Sequence, residues 1–105
     1  MEDGLVISEE VLAAIAVTAA RRVEGLSALV PRPGEALRLF KGEDLHYVKI
    51  TGEEELTVEM TLRVRADTKG SVVAMEVQRA VKNALQTMTD KTVEHVNLKI
   101  QGADF

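Results

Sequence analysis

A chain of 105 residues holds one hydrophobic core and not two. Apolar residues make up 46% and charged residues 29%, as in an ordinary folded domain, and with one Tyr, two Phe and no Trp the core must be aliphatic. The absence of cysteine excludes disulfides, thiolate metal sites and thiol nucleophiles, and a net charge of −4 argues against a dedicated binder of duplex nucleic acid.

Leu5, Val6 and Ile7 form a short apolar run suited to an edge strand. Ser8 then caps a helix, with Glu9 and Glu10 in its first turn, where carboxylates favour the positive end of the dipole. Leu12, Ile15, Ala16, Ala19 and Val23 give it an apolar stripe, Arg21 and Arg22 suit its last turn, and Gly25 is expected at C′. Leu26 to Val30 predicts a short strand, which Pro31-Arg32-Pro33-Gly34 cannot continue because two prolines remove ladder donors. Glu35 to Phe40 suits one or two helical turns, and Lys41-Gly42-Glu43-Asp44 a loop. A charged insertion of this kind can select a partner or merely connect.

A hairpin follows. His46, Val48 and Ile50 alternate with Tyr47 and Lys49, and Thr51-Gly52-Glu53-Glu54 makes the turn. Leu56, Val58, Met60, Leu62 and Val64 then alternate with Thr57, Glu59, Thr61, Arg63 and Arg65, a strict period of two. A second helix, capped by Ser71 or Thr68, carries Val73, Val77, Val81, Ala84, Leu85 and Met88 on one face and Glu76, Arg79, Lys82, Asn83 and Gln86 on the other. A tight turn at Thr89-Asp90-Lys91 leads to a last strand, in which Val96, Leu98 and Ile100 alternate with His95, Asn97, Lys99 and Gln101 before Gly102 weakens it. Each strand thus has one apolar and one polar face. That predicts a single α+β domain over residues 1–105: a two-layer sandwich with a mostly antiparallel sheet and two long helices on one face.

Three pieces of the sequence resemble the alkaline-shock and general-stress protein family of bacteria (the Asp/Gls family). They are Ile7-Ser8-Glu9-Glu10-Val11 with the Ala-rich helix and Val23-Glu24-Gly25; Val77-Gln78 with Val81, Ala84 and Met88-Thr89; and Val93, Val96-Asn97-Leu98, Ile100-Gln101-Gly102 and Phe105. They occur in the right order and cover nearly the whole chain. The resemblance implies a small, non-enzymatic cytosolic protein tied to cell-envelope stress. It also implies that some members are held at the membrane by a partner with its own transmembrane helices, and that some are linked to control of fatty-acid synthesis. Segment 27–42 departs from the family pattern, being short and holding two prolines where members often carry a longer Gly-rich stretch, which puts the identity of the partner in doubt.

The residues themselves show no catalytic constellation. His46 and His95 fall on different strands without a ligand pattern, so neither metal nor cofactor is expected. There is no Ser-centred elbow, P-loop or dinucleotide glycine motif. Glu53-Glu54-Glu55 reads as a solvated turn, since catalytic carboxylates need burial to raise a pKa. No apolar run approaches the ~20 residues that span a bilayer, and Met1-Glu2-Asp3 lacks the basic start of a signal peptide. A cytoplasmic protein that reaches a membrane only through a partner is the expectation.

The remaining constellation is the polar sheet face: Tyr47, Lys49, Thr57, Glu59, Thr61, Arg63, Arg65, Asn97, Lys99 and Gln101. A rigid platform of Arg forks, Thr hydroxyls and Tyr suits a facing protein surface, including a second copy of the chain. The plainer alternative is an ordinary solvated face. Single-stranded RNA binding on the same face is the alternative function, weakened by having Tyr47 as its one aromatic for base stacking. A small-molecule pocket between helices and sheet ranks last, because small aliphatic residues close-pack.

Overall fold

The computed structural model describes residues 7–33 and 43–104, which form α1 (Glu9–Arg21), β1 (Leu26–Leu29), a 3-10 turn (Glu43–His46), β2 (Val48–Thr51), β3 (Glu55–Arg65), α2 (Gly70–Thr89) and β4 (Thr92–Asp104). The apolar pair Leu5–Val6, the helical turns expected at 35–40, the loop residues Lys41–Gly42 and Phe105 lie outside the described residues.

β3 organises the sheet. Its strict alternation places Leu56, Val58, Met60, Leu62 and Val64 in the core, each between 0% and 4% exposed. β2 runs antiparallel to the first half of β3, with Val48 opposite Met60 and Ile50 opposite Val58. β1 runs antiparallel to the second half, with Leu26 opposite Val64 and Leu29 opposite Leu62. The two short strands therefore lie end to end along one edge of β3. β4 takes the other edge along its full length, from Glu55 opposite Thr92 to Arg65 opposite Asp104, and it runs parallel. The parallel direction follows from the connection: α2 is a crossover helix, and only a crossover can join two parallel neighbours. Two of the three strand pairings are antiparallel and both helices pack on one face, so the molecule is a two-layer α+β sandwich.

α1 begins as its sequence requires. Ser8 is extended, and its Oγ accepts the Val11 N–H at 3.2 Å. The buried stripe is Leu12, Ala13, Ala16, Val17 and Ala20. Ile15, Ala19 and Val23, expected inside, are only partly buried. α1 packs most extensively against α2 and also meets the 3-10 turn, β2 and β1, and Ile15 and Ala19 fall on the open side of its seam with Ala84 of α2. Gly25 is not C′, since the C-cap is already Arg22. It has φ +95° in the turn before β1, where a Cβ would stand 2.8 Å from Val73 Cγ2. In the β2–β3 turn, Gly52 does have the permissive dihedral expected of it, with φ +98°.

α2 buries Val73, Val77, Val81 and Leu85. Met88, expected on the same stripe, is 67% exposed, because it lines the open groove between the helices beside Ala14, Ile15 and Thr18 of α1. Neither Thr68 nor Ser71 caps this helix. The N-cap is Lys69, without a side-chain hydrogen bond, while the Thr68 hydroxyl donates to the Arg65 carbonyl at 2.6 Å and closes the preceding turn. Asp90, at φ +60°, ends α2.

The last strand does not stop at Gly102, which pairs with Arg63. β4 carries two register shifts against β3, with Glu94 and Gln101 as the extra residues. The first puts Val93 and Val96, three positions apart, on the same buried face. Among the described residues the core is wholly aliphatic, and no polar or charged residue is buried.

Candidate interaction face

The sheet face turned away from the helices is built in rows. Lys49 of β2, Glu59 of β3 and Asn97 of β4 stand side by side, as do Thr51, Thr57 and His95. Thr61 lies opposite Lys99, and Arg63 is flanked by Ala28 on β1 and Gly102 on β4. The strict alternation of β3 brings these residues to one face, and the bulge at Glu94 keeps His95, Asn97 and Lys99 in phase with it. Lys49 opposite Glu59 is an opposite-charge cross-strand pair, of the kind that favours its register.

Six of the ten expected residues converge on one shallow open depression of about 460 Å³: Tyr47, Lys49, Glu59, Thr61, Asn97 and Lys99. Its wall is completed by Val30, Arg32 and Pro33. The sequence reads Val30 as the end of a short strand and Arg32 and Pro33 as a turn, yet β1 ends at Leu29 and the whole segment is tied to the sheet. Val30 N–H donates to the Thr61 carbonyl at 2.9 Å and Arg32 N–H to the His46 carbonyl at 2.6 Å. The Arg32 guanidinium reaches the Leu45 and Val48 carbonyls, each at 3.4 Å. Arg32 thus acts as a strap that holds the proline segment against the start of β2.

The other four lie outside the depression. Thr57 is half-buried in the row with His95. The Arg63 guanidinium lies over Gly102, within 3.4 to 3.6 Å of where a Cβ would stand. Arg65 pairs with Asp67 at 3.1 Å in an exposed ion pair. Gln101 is the exposed extra residue of the second bulge and has no direct partner on β3. Tyr47 precedes β2 rather than lying in it, and its ring centroid is 5.2 Å from Arg21 Cζ of α1.

The two histidines stay apart in role. His46 ends the 3-10 turn, and His95 lies on β4 with its Nε2 3.8 Å from Glu94 Oε1. Among the described residues no group of three or more His, Cys, Asp or Glu side chains could hold a metal ion. Among the described residues, too, no helix is long and apolar enough to cross a membrane.

A family model for the alkaline shock proteins, described as having a cell envelope-related function, matches residues 2–105. No curated protein aligns with the chain at significant similarity. Among solved structures the chain is similar to MamM CTD variants. A copper form has a TM-score of 0.57 at 15% identity, over 92% of this chain and 100% of that one. A nickel form has 0.56 at 16%, over 90% and 99%, and a cadmium form 0.57 at 16%, over 92% and 100%. At such identities the likeness is one of fold alone.

Proposed function

The chain belongs to the alkaline shock protein family, and from that premise we propose that it acts by binding, assembling with itself and with another protein in a cell envelope-related role rather than by catalysis. The observation that carries this reading is the bare sheet face. Both helices pack on one side of the sheet, and the other side presents a rigid, polar, slightly concave surface centred on Lys49, Thr61, Asn97 and Lys99. Such a surface combines fixed backbone geometry with side chains that hydrogen-bond in several directions, as a protein interface requires. We assign to the same face the membrane-held partner that the family resemblance implies. RNA fits it less well, because its one aromatic, Tyr47, already lies against Arg21.

Arg63 and Arg65 are engaged with Gly102 and Asp67, so the informative positions are Lys49 and Lys99, both exposed. Light scattering over a range of protein concentrations should show a mass that rises with concentration, and the double variant Lys49→Glu/Lys99→Glu should lower it while leaving the fold intact. A wild-type protein that stays monomeric, or a variant that assembles unchanged, would overturn the reading.

A further inference from the structure

The outer edge of β4 is defended over only part of its length. Among the described residues β4 pairs with β3 and with no other strand. Two glutamines of α2 reach across to its outer side. Gln86 Oε1 accepts the Val93 N–H at 3.0 Å, and Gln78 Nε2 donates to the Val96 carbonyl at 3.3 Å. A strand directs the N–H and C=O of every second residue to the same side, so Leu98 and Ile100 direct theirs the way Val96 does, outward. No α2 side chain of that kind follows Gln78 toward the helix start: the positions above this stretch are Met75, Val72 and Gly70.

This undefended stretch has an apolar flank. Of the five large apolar residues that are exposed among the described residues, three gather here: Val72 at 47%, Met75 at 52% and Ile100 at 39%. Ile100 Cδ1 lies against Gly70 at the start of α2, and Met75 lines one trench with Val96 and Asn97. Val72 and Met75 are three residues apart and share one side of the helix. Around them the charge is mainly positive. Arg79 and Lys82 line the trench between α2 and β4, Lys69 stands at the helix start, and Lys99 projects on the open sheet face, against Glu76 and Glu94. This is a basic band on a molecule whose net charge is −4.

We propose that the β4 edge at Leu98 and Ile100 accepts an extended strand of a partner protein, in which apolar and acidic residues alternate. The backbone of that strand pairs with Leu98 and Ile100, as in strand addition to a sheet edge. Its apolar side chains point toward the helix layer and cover Val72 and Met75. Its acidic side chains point the other way, toward Lys99, and those at the end over Val96 and Asn97 meet Arg79 and Lys82 across the trench. A second copy of the chain fits the same edge less well, because a twofold pairing would bring this basic band against itself. The site shares Lys99 with the depression around Lys49 but not Lys49, Arg79 or Lys82, so variants at those three positions let the two readings fail independently.

The test uses a fluorescent octapeptide of alternating valine and glutamate, its lysine-for-glutamate counterpart, and a version with proline at alternate positions. The acidic peptide should bind, more weakly as salt rises, and slow hydrogen exchange at the Leu98 and Ile100 amides. Arg79→Glu/Lys82→Glu, on an exposed helix face, should weaken it about tenfold, whereas Lys49→Glu should leave it unchanged. Absence of binding at millimolar peptide, equal binding of the lysine peptide, or undiminished binding of the proline peptide would each overturn the proposal. So would protection of Leu98 and Ile100 that grows with protein concentration when no peptide is present, since a second copy would then occupy the edge.

Discussion

At the scale of single residues, Gly25 shows how a position can be legible in kind and misplaced in role. Its glycine marks the end of the first helical unit, and the sequence supports a C′ assignment. The chain instead leaves the helix at Arg22 and reaches φ +95° only at Gly25, under Val73 and Thr68. A side chain there meets both a disfavoured dihedral and a Cβ contact of 2.8 Å with Val73 Cγ2. Gly25→Ala should therefore lose about 1–3 kcal/mol in urea unfolding. Gly102→Ala is the contrast, since its Cβ would stand 3.4 Å from the Arg63 guanidinium, an ordinary approach to a side-chain end. Its effect should stay within about 0.5 kcal/mol, and equal losses at the two positions would contradict this account. Gln78 and Gln86 were opaque for another reason. A glutamine on the polar side of a helix looks solvated until the β4 backbone is placed beside it.

At the scale of elements, what is local was readable and what depends on a neighbour was not. The Ser8 cap, the alternation of β3 and the turn at Gly52 are each decided within a few residues. The rotation of the α1 stripe depends on where β1, β2 and α2 lie, and the bulge at Glu94 depends on the register of β4 against β3. The candidate face divides the same way. Alternation put Lys49, Glu59, Thr61, Asn97 and Lys99 on one side, but the wall of Val30, Arg32 and Pro33 is brought there by a chain reversal that no period announces. The start of α2 is where local rules remain unused. Lys69 caps it in extended geometry (φ −87°, ψ 117°) without a side-chain bond, and no acidic residue occupies the first turn. Lys69→Asp supplies both an acceptor for the free N–H groups and a negative charge at the positive end of the dipole. It should stabilise the protein by about 0.5–1.5 kcal/mol in thermal or urea unfolding. It should also weaken the acidic peptide at the β4 edge, because it removes a charge from the basic band. A stability loss would mean that the Lys69 side chain does something its geometry does not show.

At the scale of the whole molecule, β3 makes the parts interdependent. The remaining strands all pair with it, and its apolar side carries the helix layer, in a body whose smallest extent is 18 Å. The element order suggested a sandwich, but the sequence could not say that β1 and β2 share one edge while β4 closes the other in parallel. Those pairings are long-range, and their register is set by burial on a common face rather than by any turn. Leu62 sits at the junction, 0% exposed, opposite Leu29 of β1 and Ile100 of β4. Leu62→Ala leaves a hole between both edges, and a substitution of this kind costs about 2–5 kcal/mol, against a total of about 5–15 kcal/mol for a typical domain. Its melting temperature should fall by more than about 8 °C, in one transition seen equally by helix and strand signals, because no edge strand retains its support once β3 is loosened. Met88→Ala removes a side chain that is 67% exposed and should change stability by no more than about 0.5 kcal/mol. If Leu62→Ala instead split the melt into two steps, β4 with α2 would form a unit separable from β1, β2 and α1. The bare sheet face, which spans β2, β3 and β4, would then not be the rigid platform that assembly through it requires.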